Sequence, residues 1–187
     1  MQGQWNSDLN ERGRAQADVN GQLLSTLGIE ALFVSPLDRT RQTADIINQY
    51  LKLPINLDDR IKEWDCGDWS GYLYEEVAEK WASEWQAYHA DRFHYRGPNC
   101  ENFPDMIERA TPFLEELAAH PAQRIAIISH GMIGKIMVAT LLQLGEAETL
   151  AFGQDNDVVF NVGLDDDSIH ARHFVRGEGP FDGHAPV

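Results

Sequence analysis

Apolar residues along this chain alternate between helical spacing and short unbroken runs. Ala15, Val19, Leu23, Leu24 and Leu27 recur every three or four residues, which predicts a helix over 9–27 with that face inward and Gly28 closing it. Residues 31–34 form a solid apolar run with a β-branched end, the mark of a buried parallel strand over 31–35. A helix to about residue 51 and a short strand near Ile55 to Leu57 follow. Tyr74, Val77, Ala78, Trp81, Trp85 and Tyr88 make one stripe on a further helix, which serves either as core or as a substrate lid. A loop over 95–102 containing Gly97, Pro98 and Asn99 precedes a helix at 103–119. Residues 124–128 then read as a strand and 132–144 as a helix. Two last strands, 157–164 and 168–175, flank Asp165, Asp166 and Asp167, an acidic triplet that reads as turn chemistry rather than a metal site. Strands alternating with helices predict an α/β fold, a three-layer α/β/α sandwich with a mostly parallel central sheet. Its strands 31–35, 124–129 and 157–164 are expected in one sheet. A single domain over 1–175 and a poorly ordered Gly- and Pro-rich tail over 176–187 complete the expectation.

Two strand–turn–helix junctions carry candidate chemistry. Ser129-His130-Gly131 puts an imidazole at the carboxyl end of a strand and beside a helix N-terminus, where open α/β sheets bind anions. Gly131 removes a side chain that would hold a ligand off the backbone. The second junction repeats the layout. Ser35 suits an N-cap, Pro36 the first helical position and Asp38 the first turn, which sets Arg39 at the same sheet edge. A guanidinium there can grip phosphate bidentately, alongside free helix N–H groups. Arg41 and Arg60 read as solvated surface residues.

Charge sharpens this picture. A formal net charge of −15 argues against a nucleic-acid partner, which needs a basic face. An anionic substrate would need a local positive focus, and Arg39 can supply one. Two cysteines, Cys66 and Cys100, are too few for a disulfide framework and predict free thiols in a reducing, cytoplasmic setting. No signal peptide is visible, and the longest apolar helix carries Lys135 and is too short for a bilayer, so no membrane partner is expected. Neither cysteine has an arginine six positions on, and no nucleotide-binding P-loop or serine-hydrolase elbow occurs. His170 and His173 fall on opposite faces of a strand and make a poor metal pair.

Four separated segments together carry a family resemblance. The stretch from Ser35 through Arg39 to Ala44 resembles the second motif of the histidine phosphatase superfamily, also called phosphoglycerate mutase-like. The segment from Ile61 through Glu63, Gly67, Asp68 and Trp69 to Gly71 is similar to that family's acid-residue segment. Ser129-His130-Gly131 resembles its late histidine motif, and Gln2-Gly3-Gln4 with the residues that follow resembles the stretch after its first motif.

The resemblance implies the family fold and phosphomonoester hydrolysis through a phosphohistidine. Arg39 and His130 would then form a cationic phosphate pocket, and Glu63 would be the general acid and base. Gln2, Gly3 and Gly131 would complete the phosphate contacts. No metal or other cofactor is implied, since arginine and histidine supply the positive charge. The expected partner is a phosphorylated small molecule. The family's nucleophile belongs to an Arg-His-Gly triplet on a first strand, and no such triplet occurs in these residues. The expectation is therefore an N-terminally truncated family member, inactive or nearly so as it stands, in which the neighbours of the missing strand either leave an open slot that favours homodimers or aggregation, or close up to pair directly. Two alternatives stay open: a non-catalytic binder of a phosphorylated ligand or protein, and a phosphoglycerate mutase. Cys100 and Glu101 depart from the family's usual Gly-Glu-Ser, which leaves that loop's contacts undetermined.

Overall fold

β1 (Ala31–Val34) is the centre of a parallel sheet, with β2 (Ile55–Leu57) on one side and β3 (Ile125–Ile128) on the other. The computed structural model describes residues 1–151, 153, 155–165 and 168–183. Side chains alternate across the sheet, so its two faces need two separate covers. Leu32, Val34, Ala126 and Ile128 pack with Leu24 of α1 (Glu11–Thr26) and with Ala44 and Ile47 of α2 (Asp38–Leu51). Phe33 and Ile127 face the opposite way. They meet Phe113 and Met106 of α5 (Phe103–Ala118) and Ile133 and Ile136 of α6 (Gly131–Leu141). Helices on both faces of a parallel sheet make the three-layer α/β/α architecture, as the sequence predicts.

Helix α1 turns a different face inward from the one its spacing suggests. Ala17, Gly21 and Leu24 are buried, whereas Ala15 and Val19 are exposed. The cause is α2. A Cβ at Gly21 would lie 2.6 Å from the Tyr50 ring, so the glycine is what lets the two helices close together. Helix α2 also begins later than expected, with Leu37 in the N-cap position and no side-chain cap.

Residues 74–90 form two helices, α3 (Tyr74–Lys80) and α4 (Ala82–Ala90), broken at Trp81. Val77 and Tyr88 join Cys66, Trp69 and Cys100 in a small aromatic core, which favours the core reading of this stripe. Tyr88 stacks between Trp64 and Trp85, with ring centroids 6.1 and 5.4 Å away, and Trp69 meets all three edge-on.

The last strands depart from expectation. β4 (Val158–Asp165), β5 (Ser168–Val175) and β6 (Glu178–Asp182) form their own antiparallel meander, so β4 does not join the sheet of β1 and β3. Pairing across short connections closes small loops, which is the entropically cheaper choice. β6 also occupies part of the expected irregular tail, because its backbone finds partners along β5. Val159 of β4 still packs against the core under β1 and β3. Asp166, Asp167 and His184 lie outside the described residues. No helix among the described residues is long and apolar enough to cross a membrane.

Candidate active site

Val34 and Ile128 are register partners, so β1 and β3 end side by side, and the Ser35 N–H donates to the Ile128 carbonyl at 2.9 Å. The two junctions therefore deliver their polar residues to one place. Arg39 Nε donates to His130 Nδ1 at 3.0 Å, and His130 Nε2 lies 2.7 Å from Ser35 Oγ. An accepting Nδ1 requires the ring proton on Nε2, which then donates to the serine oxygen. Arg39 also donates through Nη1 to the Trp5 carbonyl and through Nη2 to the Gly3 carbonyl, both at 2.8 Å. All these partners are neutral, so the guanidinium keeps a charge that nothing in contact with it cancels. Its pKa is pushed down by burial and back up by nearby Glu63.

His130 is itself 91 % buried, with 9 % of its surface exposed. Burial, then Arg39 and Arg109, push its pKa down to about 3. The ring is therefore neutral at physiological pH, which corrects the expectation of two cations. Arg39 supplies the charge and His130 a neutral N–H donor.

Glu63 approaches from a loop after a short 3-10 turn (Asp59–Ile61). Its Oε1 accepts from the N–H groups of Trp64 at 2.8 Å and Ile133 at 3.2 Å, and its Oε2 from Met132 at 3.4 Å. The carboxylate thus sits over the N-terminus of α6, one turn from His130, where the helix dipole favours negative charge. These helix N–H groups are taken by protein, and so is that of Asp38, which Asn6 Oδ1 accepts at 3.0 Å. The expected free amides are therefore fewer than the sequence suggests.

Gln2 and Gly3 do not act as a pair. The Gln2 side chain is exposed and donates to Ser7 Oγ. Gly3 offers Arg39 its carbonyl instead of an N–H, at a φ of 53° and with Cys66 Sγ 2.9 Å from where a Cβ would be. Gln4 Nε2, which the sequence did not single out, donates to the Glu63 carbonyl at 3.0 Å. A Cβ at Gly131 would meet nothing within 4 Å, so the space beside His130 is open there.

Two further residues build the site, Glu101 of the loop before α5 and Arg109, which no motif announces. Arg109 Nη1 holds the carbonyls of Arg60 and Lys62 at 2.7 and 2.9 Å, while its Nε and Nη2 pair with Glu101 at 2.7 and 2.8 Å. Glu101 also accepts from the Asp65 N–H at 2.9 Å. The departure at Cys100 and Glu101 thus leaves a loop that clamps the segment carrying Glu63. Burial pushes the thiols of Cys66 and Cys100 up to about 12, which keeps them protonated and poor nucleophiles. Among the described residues, no group of three or more His, Cys, Asp or Glu side chains is placed to hold a metal ion. A small recess of about 10 Å³ is walled by Trp64, Tyr88, Arg92, Tyr95, Glu101 and Met132.

The family model of the histidine phosphatase superfamily (branch 1) matches residues 1–176. The chain belongs to the histidine phosphatase superfamily. It is 34% identical over 156 residues to phosphoserine phosphatase 1 of Hydrogenobacter thermophilus, covering 83% of this chain and 74% of that protein. It is 32% identical over 131 residues to the uncharacterized phosphatase PhoE of Bacillus subtilis, covering 70% of this chain and 62% of that one. In structure it resembles the alpha-ribazole phosphatase of Shigella flexneri, with a TM-score of 0.83 at 22% identity over 90% of this chain and 84% of the other. For this histidine phosphatase relative, the convergence of Arg39, His130 and Glu63 at one sheet edge is the feature that bears on chemistry.

Proposed function

We propose that this chain is the body of a phosphomonoester hydrolase whose phosphoryl group passes through a phosphohistidine. The observation that carries the reading is the junction itself. A half-buried guanidinium, a neutral imidazole N–H and a carboxylate lie together at the carboxyl ends of β1 and β3. Arg39 would hold the transferring phosphoryl oxygens, and His130 would turn its Nε2–H from Ser35 to the same group. Glu63 would protonate the departing alkoxide and later take a proton from water.

The nucleophile in this proposal is a histidine outside these 187 residues. Both nitrogens of His130 are engaged, and the other described histidines lie elsewhere. His89 packs on Trp85, His94 faces Asp91 and Glu146, His120 packs on Phe33, His170 pairs with Gly163 across β4 and β5, and His173 meets the Gly183 carbonyl. Among the described residues, β3 and β4 each hydrogen-bond a strand along one edge alone, which leaves edges that an added strand could join.

The test compares the 187-residue chain with one extended by its encoded upstream residues. The extended chain is expected to hydrolyse an aryl phosphate and to show a phosphohistidine, with Glu63→Gln lowering kcat much more than KM. Rapid, metal-independent turnover by the 187-residue chain would overturn the mechanism. Phosphate binding without turnover in both forms would favour a non-catalytic phospho-ligand binder.

A further inference from the structure

β2 is an outer strand of the parallel sheet, and among the described residues it pairs with β1 alone. The Asp58 N–H donates to the Val34 carbonyl at 3.1 Å, toward β1. Backbone groups alternate from side to side along a strand, so those of Asn56 also face β1, and the N–H and C=O of Ile55 and Leu57 face outward. The free edge stops at Leu53, whose N–H and carbonyl are both taken by the Asn48 side chain at 2.8 Å. Pro54 falls on the inward side and so blocks nothing. Proteins that stay monomeric blunt such an edge with charge, proline or a bulge, and Ile55, Asn56 and Leu57 carry none of these.

The side chains of this edge are apolar and uncovered. Ile55 and Leu57 are register partners of Leu32 and Val34, so they point to the face that carries α2. Ile55 is 38% exposed and Leu57 52% exposed. With Arg41 and Asp45 of α2 they line a groove of about 220 Å³. The whole chain has a formal charge of −15, so two copies repel each other at most approaches. At this groove one cation and one anion flank an apolar strip, and the patch is neutral. A surface with both signs beside an apolar centre can match itself.

We propose that β2 is the seam of a homodimer, in which a second copy of this chain adds its own β2 antiparallel across a two-fold axis at Asn56. Ile55 of one copy then exchanges both backbone hydrogen bonds with Leu57 of the other, and the symmetry repeats the exchange. The charges obey the same axis. α2 starts beyond the carboxyl end of β1, where Val34 is level with Leu57, and runs back toward the start of β2. Arg41 therefore lies near the level of Leu57. Asp45 is about 6 Å further along the helix, and Ile55 is about 6–7 Å back along the strand. The rotation that sets Leu57 beside Ile55 thus sets Arg41 of each copy opposite Asp45 of the other. This seam is separate from the phosphate site and lies on the opposite edge of the sheet from β3.

Analytical ultracentrifugation of the 187-residue chain is expected to find twice the monomer mass at about 100 µM, with dissociation on dilution. Leu57→Lys should leave a folded monomer. Arg41→Asp and Asp45→Arg should each weaken the dimer by about ten-fold or more, and the two together should restore it, because the reversed pair meets across the axis. Asn56→Cys places a thiol directly opposite its own copy, about 4.5 Å away between Cα atoms, and should yield a disulfide-linked dimer under mild oxidation. A chain that stays monomeric at about 100 µM overturns the seam. So does a dimer that survives Leu57→Lys and both single charge reversals, since such a dimer uses another face, the free edges of β3 and β4 among them.

Discussion

Arg39 Nε donates to His130 Nδ1 at 3.0 Å, and this one bond sets the tautomer of the imidazole. The proton must sit on Nε2, facing Ser35 Oγ. ¹⁵N NMR of His130 is expected to show a neutral Nε2–H ring at pH 7, and the Arg39→Ala variant a mixture of tautomers.

The same ring should make stability depend on pH. Its folded pKa is about 3, below the value of about 6.5 expected when unfolded. Between those values the unfolded chain binds a proton that the folded chain does not. The contribution is therefore fully present above about pH 6.5 and is lost as the pH falls toward 3. From pH 6.5 to 5 the loss should be about 1.5 kcal/mol. Urea unfolding at the two pH values should find this slope in the unaltered chain and not in His130→Gln.

Arg39 should resist even conservative replacement. Its planar fork reaches His130, Gly3 and Trp5 together, and a lysine ammonium cannot span all three. Arg39→Lys and Arg39→Ala are both expected to weaken binding of inorganic phosphate by about ten-fold or more. Calorimetric titration would measure it, and near-equal affinity for Arg39→Lys would show that charge alone suffices.

Two glycines should respond in opposite ways. At Gly67, φ is 47° and a Cβ would lie 2.4 Å from the Asn99 carbonyl carbon, backbone that cannot move aside. Gly67→Ala is expected to destabilise by about 2–4 kcal/mol by separating the loops that carry Asp68 and Asn99. Gly131→Ala meets open space and should leave the melting temperature nearly unchanged, while its methyl group weakens phosphate binding. Thermal melts paired with phosphate titrations check both.

Arg109→Met should act on Glu63 through the backbone, since Arg109 Nη2 donates to the Glu63 carbonyl at 3.4 Å. It leaves the carbonyls of Arg60 and Lys62 and the Glu101 carboxylate without their donor. Because Arg109 and Glu101 side chains are each 20% exposed, the expected loss is about 2–3 kcal/mol, below that of a fully buried pair. Chemical denaturation would measure that loss. The Arg60 pair with exposed Glu116 should by comparison matter little, so Glu116→Gln should leave the denaturation midpoint nearly unchanged.

The segments around Arg39 and His130 were legible because their chemistry is local. A short apolar run, a turn and a helix start place a residue at a strand's carboxyl end whatever the rest of the chain does. Glu63 has no such local signature and is named only through the family resemblance. Locality did not reveal charge state. Whether His130 is a cation depends on its burial and on Arg39 and Arg109 nearby, and none of these is a property of the Ser-His-Gly triplet.

Sequence alone determined the alternation of strands and helices, the two junctions and the family, because periodicity and short motifs are carried by neighbours along the chain. Tertiary structure decided the rest. It turned α1 so that Gly21 meets Tyr50, and it aimed Ser35 at His130 instead of at a helix N-terminus. It recruited Arg109 and Glu101 as the clamp on Glu63 and gave β4 to β5 and β6 instead of to β3. Each of these outcomes is a contact between residues far apart in the chain. Such contacts are chosen by which burial and hydrogen-bonding arrangement satisfies the whole fold, and no local pattern records that choice.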